Sequence, residues 1–159
     1  DRWVIAHTKS RQEKSLVSDL LTGGIACYLP VLRELRSHGA RKRWVDMPLF
    51  PGYVFVRGGR DVGAVARRTG RVANMIPVGD QAQLVHELRQ IRCAIEAGGR
   101  LASSAFLEAG VPARIARGPL KGVEGVVESV ASPERLILLI RTLGRATSVE
   151  VAPGDVERL

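Results

Sequence analysis

Glycine and proline cut this chain into segments that leave room only for short, closely connected elements. Gly23-Gly24, Pro51-Gly52, Gly98-Gly99, Gly118-Pro119, Ser132-Pro133 and Pro153-Gly154 separate runs whose apolar period changes from one to the next. Arg2 to Thr8 alternates as a strand does. Ser10-Arg11-Gln12-Glu13 has the S-x-x-E form of a capping box. It predicts the start of a helix carrying Leu16, Val17, Leu20 and Leu21 and stopped by Gly23-Gly24. Cys27 to Arg36 reads as a strand with an edge or bulge at Pro30. Ser37-His38-Gly39-Ala40 reads as a turn, and Arg41 to Met47 as the returning strand. Pro51-Gly52 suits the centre of a type II turn, where glycine takes the second position without strain. Tyr53 to Arg57 then alternates, with Tyr53 and Phe55 on one face. Asp61 is placed to cap a short helix, Val72 to Val78 is a strand, and Asp80 is placed to cap a longer helix. That helix carries Leu84, Val85, Leu88, Ile91 and Ile95 on one stripe.

With Tyr53 to Arg57 continuing the strand interrupted at Pro48 to Gly52, the order β-α-β-β-α-β plus one further helix predicts an α+β chain that opens with a ferredoxin-like α/β sandwich over residues 1–97. Small residues over 98–105 read as a linker. From 106 to 159, short β-branched runs between turn signals predict a small SH3-like barrel.

Charge divides along the same line. Up to Ala105 there are 17 Lys/Arg against 9 Asp/Glu, which is the whole of the net +8, and the remainder carries 7 of each. Six of the seven aromatics lie at or before Phe55. A basic, aromatic-rich module followed by a neutral one predicts that only the first faces phosphate. No apolar run approaches the length of a membrane span, and the opening residues lack a signal-peptide pattern, so a cytoplasmic location without membrane contact is expected. Cys27 and Cys93 read as buried thiols. His7, His38 and His86 are scattered, and no nucleophile elbow, phosphate loop or metal spacing is found. The reading is a binding protein that is not an enzyme, with no cofactor and no metal.

The residues themselves resemble a known family. Trp3…His7-Thr8-Lys9-Ser10-Arg11-Gln12-Glu13, then Tyr28-Leu29-Pro30, then Pro48-Leu49-Phe50-Pro51-Gly52-Tyr53-Val54-Phe55-Val56 resembles the N-terminal domain of NusG-family transcription factors. Gly118-Pro119-Leu120-Lys121-Gly122-Val123-Glu124-Gly125-Val126-Val127 is similar to a KOW motif. Leu143-Gly144-Arg145-Ala146-Thr147 with Val149-Glu150-Val151 resembles the strand pair that completes a KOW barrel. The resemblance implies a monomeric elongation factor that docks on the β′ clamp helices of RNA polymerase, reaches toward the β subunit and suppresses pausing. The KOW domain would recruit Rho or a ribosomal protein.

It also implies a set of contact residues. Phe50, Pro51, Gly52, Tyr53 and Phe55, supported by Trp3, match the segment that forms the family's apolar polymerase-binding concavity. Lys9 and Arg71 fall where the specialised RfaH relatives carry basic residues that meet DNA, and Arg11 lies beside Lys9. Independently of the resemblance, Arg41, Lys42 and Arg43 at a hairpin tip suit phosphate, with Trp44 beside them. Leu143 stands at the family's KOW partner surface, with Ile140 nearby. The opening residues look RfaH-like, favouring an antiterminator for a subset of operons. A housekeeping NusG that supports Rho-dependent termination and a KOW-type ribosome-associated RNA-binding protein are the alternatives. The segment after Arg60 lacks the His-Thr-Thr pattern used to reach the β subunit, which sets that second contact apart from the first.

Overall fold

A computed structural model describes all 159 residues, and they form a mixed α/β protein with three α-helices and several antiparallel sheets. The chain divides into two compact units, Asp1–Gln81 and Ala82–Leu159.

The first unit runs β1 (Arg2–Thr8), α1 (Glu13–Thr22), β2 (Ala26–Tyr28), β3 (Val31–His38), β4 (Arg41–Pro48), β5 (Tyr53–Gly58), α2 (Val62–Arg68) and β6 (Val72–Pro77). Four of these strands form one antiparallel sheet in the order β2-β5-β1-β6. Alternation along β1 and β5 sends Ala6, Val54 and Val56 to one face. There they form a buried core with Leu16 and Leu20 of α1 and Val62 and Ala66 of α2. Removing the Leu16 side chain from such a site costs about 2–5 kcal/mol.

The expected capping box does not form. Arg11 sits at φ 58°, and the helix begins at Glu13 behind an N-cap Gln12 that makes no side-chain cap bond. The Glu13 carboxylate instead accepts the Gly52 N–H at 3.0 Å, a partner 39 residues away. Asp61 likewise makes no capping bond at α2. At the other end of α1 the stop is as expected. The N–H of Gly24, at φ 74°, bonds the Leu21 carbonyl, and the N–H of Ile25 bonds that of Leu20.

The strand expected over Cys27 to Arg36 is two strands, because Leu29-Pro30 breaks it. β2 stays in the sheet, while β3 leaves to pair with β4 as a separate two-stranded ribbon. The ribbon is in register from Val31↔Pro48 to His38↔Arg41, closed by Gly39-Ala40 with Gly39 at φ 61°.

In the second unit α3 (Gln81–Glu96) precedes β7 (Leu101–Ser104), β8 (Val111–Ile115), β9 (Glu124–Val127), β10 (Arg135–Ile140), β11 (Arg145–Glu150) and β12 (Val156–Arg158). These six strands form one antiparallel sheet ordered β12-β8-β9-β10-β11-β7. Val126, Ile137, Leu139 and Ala146 form a buried cluster on it, with Phe106 and Leu107 packed against them. Leu136, Leu138 and Ile140, on the other face of β10, are buried too, so this strand is enclosed on both sides.

Residues 98–105, read as a linker, contain strand β7, in register with β11 from Leu101↔Val149 to Ser104↔Ala146. Thr147 Oγ1 donates to the Ala102 carbonyl at 2.8 Å. Leu-Ala-Ser-Ser has weak strand propensity, and the ladder to β11 supplies what the residues lack. The last helix ends as expected at Gly98, φ 74°, with Gly98 N–H to Ile95 and Gly99 N–H to Ala94. α3 falls in the same unit as the six-stranded sheet, and its side chains bond strand-end amides there. The Glu124 N–H donates to Gln90 Oε1 at 2.7 Å, and the Arg141 N–H to Glu87 Oε2 at 2.9 Å. Both cysteines are free thiols. Cys27 is half-buried, whereas Cys93 is exposed on α3, contrary to the expectation of two buried groups. No helix is long and apolar enough to cross a membrane.

Candidate functional site

The sheet of the first unit has a second face, opposite Ala6, Val54 and Val56. Its register brings together Trp3 with Arg57, Ile5 with Phe55, and His7 with Tyr53 on β1 and β5. Tyr28 on β2 lies beside Phe55, and Ile76 and Asn74 on β6 lie beside Ile5 and His7. Four of the six early aromatics therefore share one face, a consequence of alternation in three paired strands. Ile5 and Phe55 at its centre have no exposed surface. Tyr53 is half-buried, and its ring stacks on His7 with centroids 5.0 Å apart and planes 18° from parallel. Trp3 is half-buried with the Arg57 guanidinium 6.0 Å over its ring, and its backbone exchanges two hydrogen bonds with Gln81, at 2.7 and 2.8 Å.

The Pro51-Gly52 turn borders this face. Gly52 sits at φ 88°, and the Tyr53 N–H bonds the Phe50 carbonyl at 3.2 Å, as a type II turn requires. The Gly52 N–H bonds Glu13, and its carbonyl accepts the Thr8 N–H at 2.8 Å. Both polar groups of the turn's central residue are thus tied to other elements.

Among the six residues expected to meet a polymerase, burial separates two groups. Pro51 is exposed, and Gly52, Tyr53 and Trp3 are half-buried. Phe50 and Phe55 are 5% and 0% exposed and cannot be touched by a partner in this conformation. Alternation placed Phe55 on the same face as Tyr53 but could not say that it lies at the centre of that face and not its rim.

The expected nucleic-acid residues divide in the same way. Lys9 and Arg11 are exposed between β1 and α1, and Arg41, Lys42 and Arg43 are exposed at the ribbon's tip. Arg71 is engaged within the fold. Its Nε bonds Asp19 Oδ2 at 2.6 Å and its Nη1 bonds Gln12 Oε1 at 2.6 Å, which fastens the start of β6 to α1. The ribbon carries further cations that the tip motif alone did not reveal. Register puts Arg36 opposite Arg43, and His38 opposite Arg41. Arg36 and Arg43, like charges directly opposite, destabilise a bare ribbon, and Glu34, 2.9 Å from Arg36, answers only Arg36. The two-residue turn and strand alternation were the signals from which this face could have been read.

In the second unit Ile140 is fully buried in β10, so it is core and not a partner contact. Leu143 is half-buried in a 3-10 turn, Arg141–Leu143, closed by Gly144 at φ 59°. The buried charge of this unit is Glu87. It is 4% exposed, and burial raises its pKa although the Arg141 amide and guanidinium and the Gln83 side chain pull the other way.

Residues 1–92 match the family model described as transcription termination factor nusG. This chain belongs to the NusG family, a family of transcription factors. Among curated proteins, none matches the chain. In solved structures the chain is similar to one in the MjSpt4:Spt5 complex, conformation B, at 18% identity and TM-score 0.32, covering 99% of this chain and 96% of that one. For conformation A the values are 18% and 0.31, covering 99% and 97%. A likeness at that level carries no argument about mechanism.

Proposed function

We propose that this protein is a transcription elongation factor that binds RNA polymerase at the β′ clamp helices, suppresses pausing and promotes antitermination. The carrying observation is the aromatic sheet face bordered by a pinned Pro51-Gly52 turn, within the residues that match the NusG model. A rigid turn beside Tyr53 and Pro51 presents contact area with little left to order on binding. The factor needs no chemistry of its own, since preferential binding to one polymerase conformation shifts the balance between paused and moving states.

On this reading residues 1–97 act as the N-terminal domain. The strand order β2-β5-β1-β6 with α1 and α2 on one face supports calling its sheet ferredoxin-like. Residues 106–159 act as an SH3-like KOW domain that recruits a second factor, Rho or a ribosomal protein, with Leu143 as the candidate contact. Lys9, Arg11 and the ribbon cations meet the DNA. The specialised, RfaH-like role draws its support from Lys9 and Arg11, since Arg71 is engaged within the fold. A housekeeping NusG that also supports Rho is the second reading, favoured by the β-branched composition of the six-stranded sheet.

In vitro transcription with purified polymerase, with and without Rho, tests this. Shortened pauses and readthrough of terminators are expected. No change in pausing or termination would discard the proposal, and enhanced Rho termination would move it to the housekeeping form. Tyr53→Ala should weaken polymerase binding about tenfold or more while the domain stays folded, as an interface anchor does. Unchanged binding would remove Tyr53 from the contact.

A further inference from the structure

The β3–β4 ribbon sorts its side chains onto two unlike faces. On one, register pairs Arg33 with Asp46, Leu35 with Trp44 and Ser37 with Lys42. The other carries Glu34, Arg36, His38, Arg41 and Arg43. Trp44 is 61% exposed and its cross-strand neighbour Leu35 is 48% exposed. The ribbon pairs with no other strand, and the Arg33 guanidinium lies 5.9 Å from the Trp44 ring centroid. A large indole and a leucine thus lie side by side in water, with Arg33 and Lys42 on the same face and Asp46 beside Arg33.

We propose that the Leu35–Trp44 face receives an unpaired nucleic-acid base, stacked on the Trp44 indole, while the ribbon's cations hold the adjoining phosphates. Lys42 and Arg33 share the ring's own face, and Arg41 and Arg43 lie on the other face of the same strand. The proposal rests on the reading of this ribbon as a nucleic-acid contact, and it names the form of nucleic acid that fits. Charge selects a polyanion, because the opposed Arg36/Arg43 pair and the tip cations Arg41 and Lys42 gain most from phosphate between or beside them. The ring selects a single strand. In a duplex the base faces are already covered by their neighbours, whereas an unpaired base offers a free π-face to an aromatic side chain. Leu35 extends the apolar floor under the base without adding a hydrogen-bonding group, so the site would tolerate any base.

The test uses the full chain with an oligo(dT) of about 15 nucleotides and a duplex of equal length. Binding is read by anisotropy of a labelled strand and by tryptophan emission, against wild type, Trp44→Phe and Trp44→Ala. Oligo(dT) is expected to quench the wild-type emission and to leave the remaining Trp3 emission of Trp44→Phe unchanged. Trp44→Phe should stay within about threefold of wild type in affinity, since a phenyl ring still stacks, whereas Trp44→Ala should lose about tenfold for the single strand and little for the duplex. Equal losses on both forms, or none on either, would overturn the stacking site. Displacement by poly-glutamate as effective as by oligo(dT) would also overturn it and assign the face to an acidic protein. Circular dichroism of each variant separates loss of binding from loss of fold. The elongation reading fails by a different result, a wild-type chain with no effect on polymerase, whatever the oligonucleotide data show.

Discussion

The Pro51-Gly52 corner and the β3–β4 ribbon are both candidate contact surfaces of the first unit, and they are built by opposite means. At the corner the polar groups of the turn's central residue and the nearby guanidinium are engaged inside the fold. Gly52 bonds Glu13 and Thr8, and nearby Arg71 bonds Asp19 and Gln12. On the ribbon, Arg41, Lys42 and Arg43 have no carboxylate partner, and cations face cations across the strands. The corner is shaped before a partner arrives. The ribbon's tip cations are left unanswered by the fold. On the proposed reading, what makes a nucleic-acid contact is charge that the fold leaves unanswered, and not charge alone.

Substitutions should break this contrast in a graded way. Gly52→Ala forces a side chain into left-handed backbone and should cost about 1–2 kcal/mol in urea unfolding, with weakened polymerase binding. A change within error would show that the turn relaxes and is not pinned. Arg71→Ala should cost less than about 1 kcal/mol, because its ion pair is a third exposed and screened by solvent. It should leave DNA affinity unaltered, and a fall in salt-dependent DNA binding would return Arg71 to the nucleic-acid surface.

Glu87 carries the same question into the second unit. Its raised pKa means that the folded state holds a proton more readily than the unfolded chain. Its contribution is therefore most favourable below the ordinary carboxylate range and declines as pH rises through the raised value. Glu87→Gln, which keeps an acceptor for the Arg141 amide, should flatten the pH dependence of stability across that window. An unchanged profile would mean that Glu87 is solvated after all. The smallest effect on stability belongs to the ribbon. Replacing Arg41, Lys42 and Arg43 together with Ala should change stability by no more than about 0.5 kcal/mol. It should lower the slope of log affinity against log salt by up to about 3. An unaltered slope would make these residues solubilising charge.

Local pattern carried most of the elements. The period of β1, the stripe of α3, Leu16 and Leu20 on α1, the Pro51-Gly52 turn and the glycine helix stops are short-range facts, and the structure has them where the residues say, whereas Leu21, expected on the α1 stripe, is 59% exposed. What escaped was non-local. Ser10 to Glu13 satisfies a capping pattern, yet Glu13 goes to an amide 39 residues on, and Arg11 turns the backbone out of a helix. Arg71 looked like an available cation because its partners lie 52 and 59 residues earlier. β7 went unseen since its residues form a strand only once β11 lies beside them. For the candidate site, alternation told which aromatics share a face, but depth within that face depends on neighbouring strands. That is why Phe50, Phe55 and Ile140 moved into the interior.

The double tether of Gly52 has a consequence for how the first unit opens. One residue, at the entry to β5, is joined by its N–H to α1 and by its C=O to the end of β1. Fraying any one of these elements breaks a bond held by another, so the three should form a single cooperative unit in hydrogen exchange. The amides of Gly52 and Thr8 would then exchange through the same opening event, at one common rate of exposure. The ribbon, which shares no such joint, is free to lose its amide protons long before them.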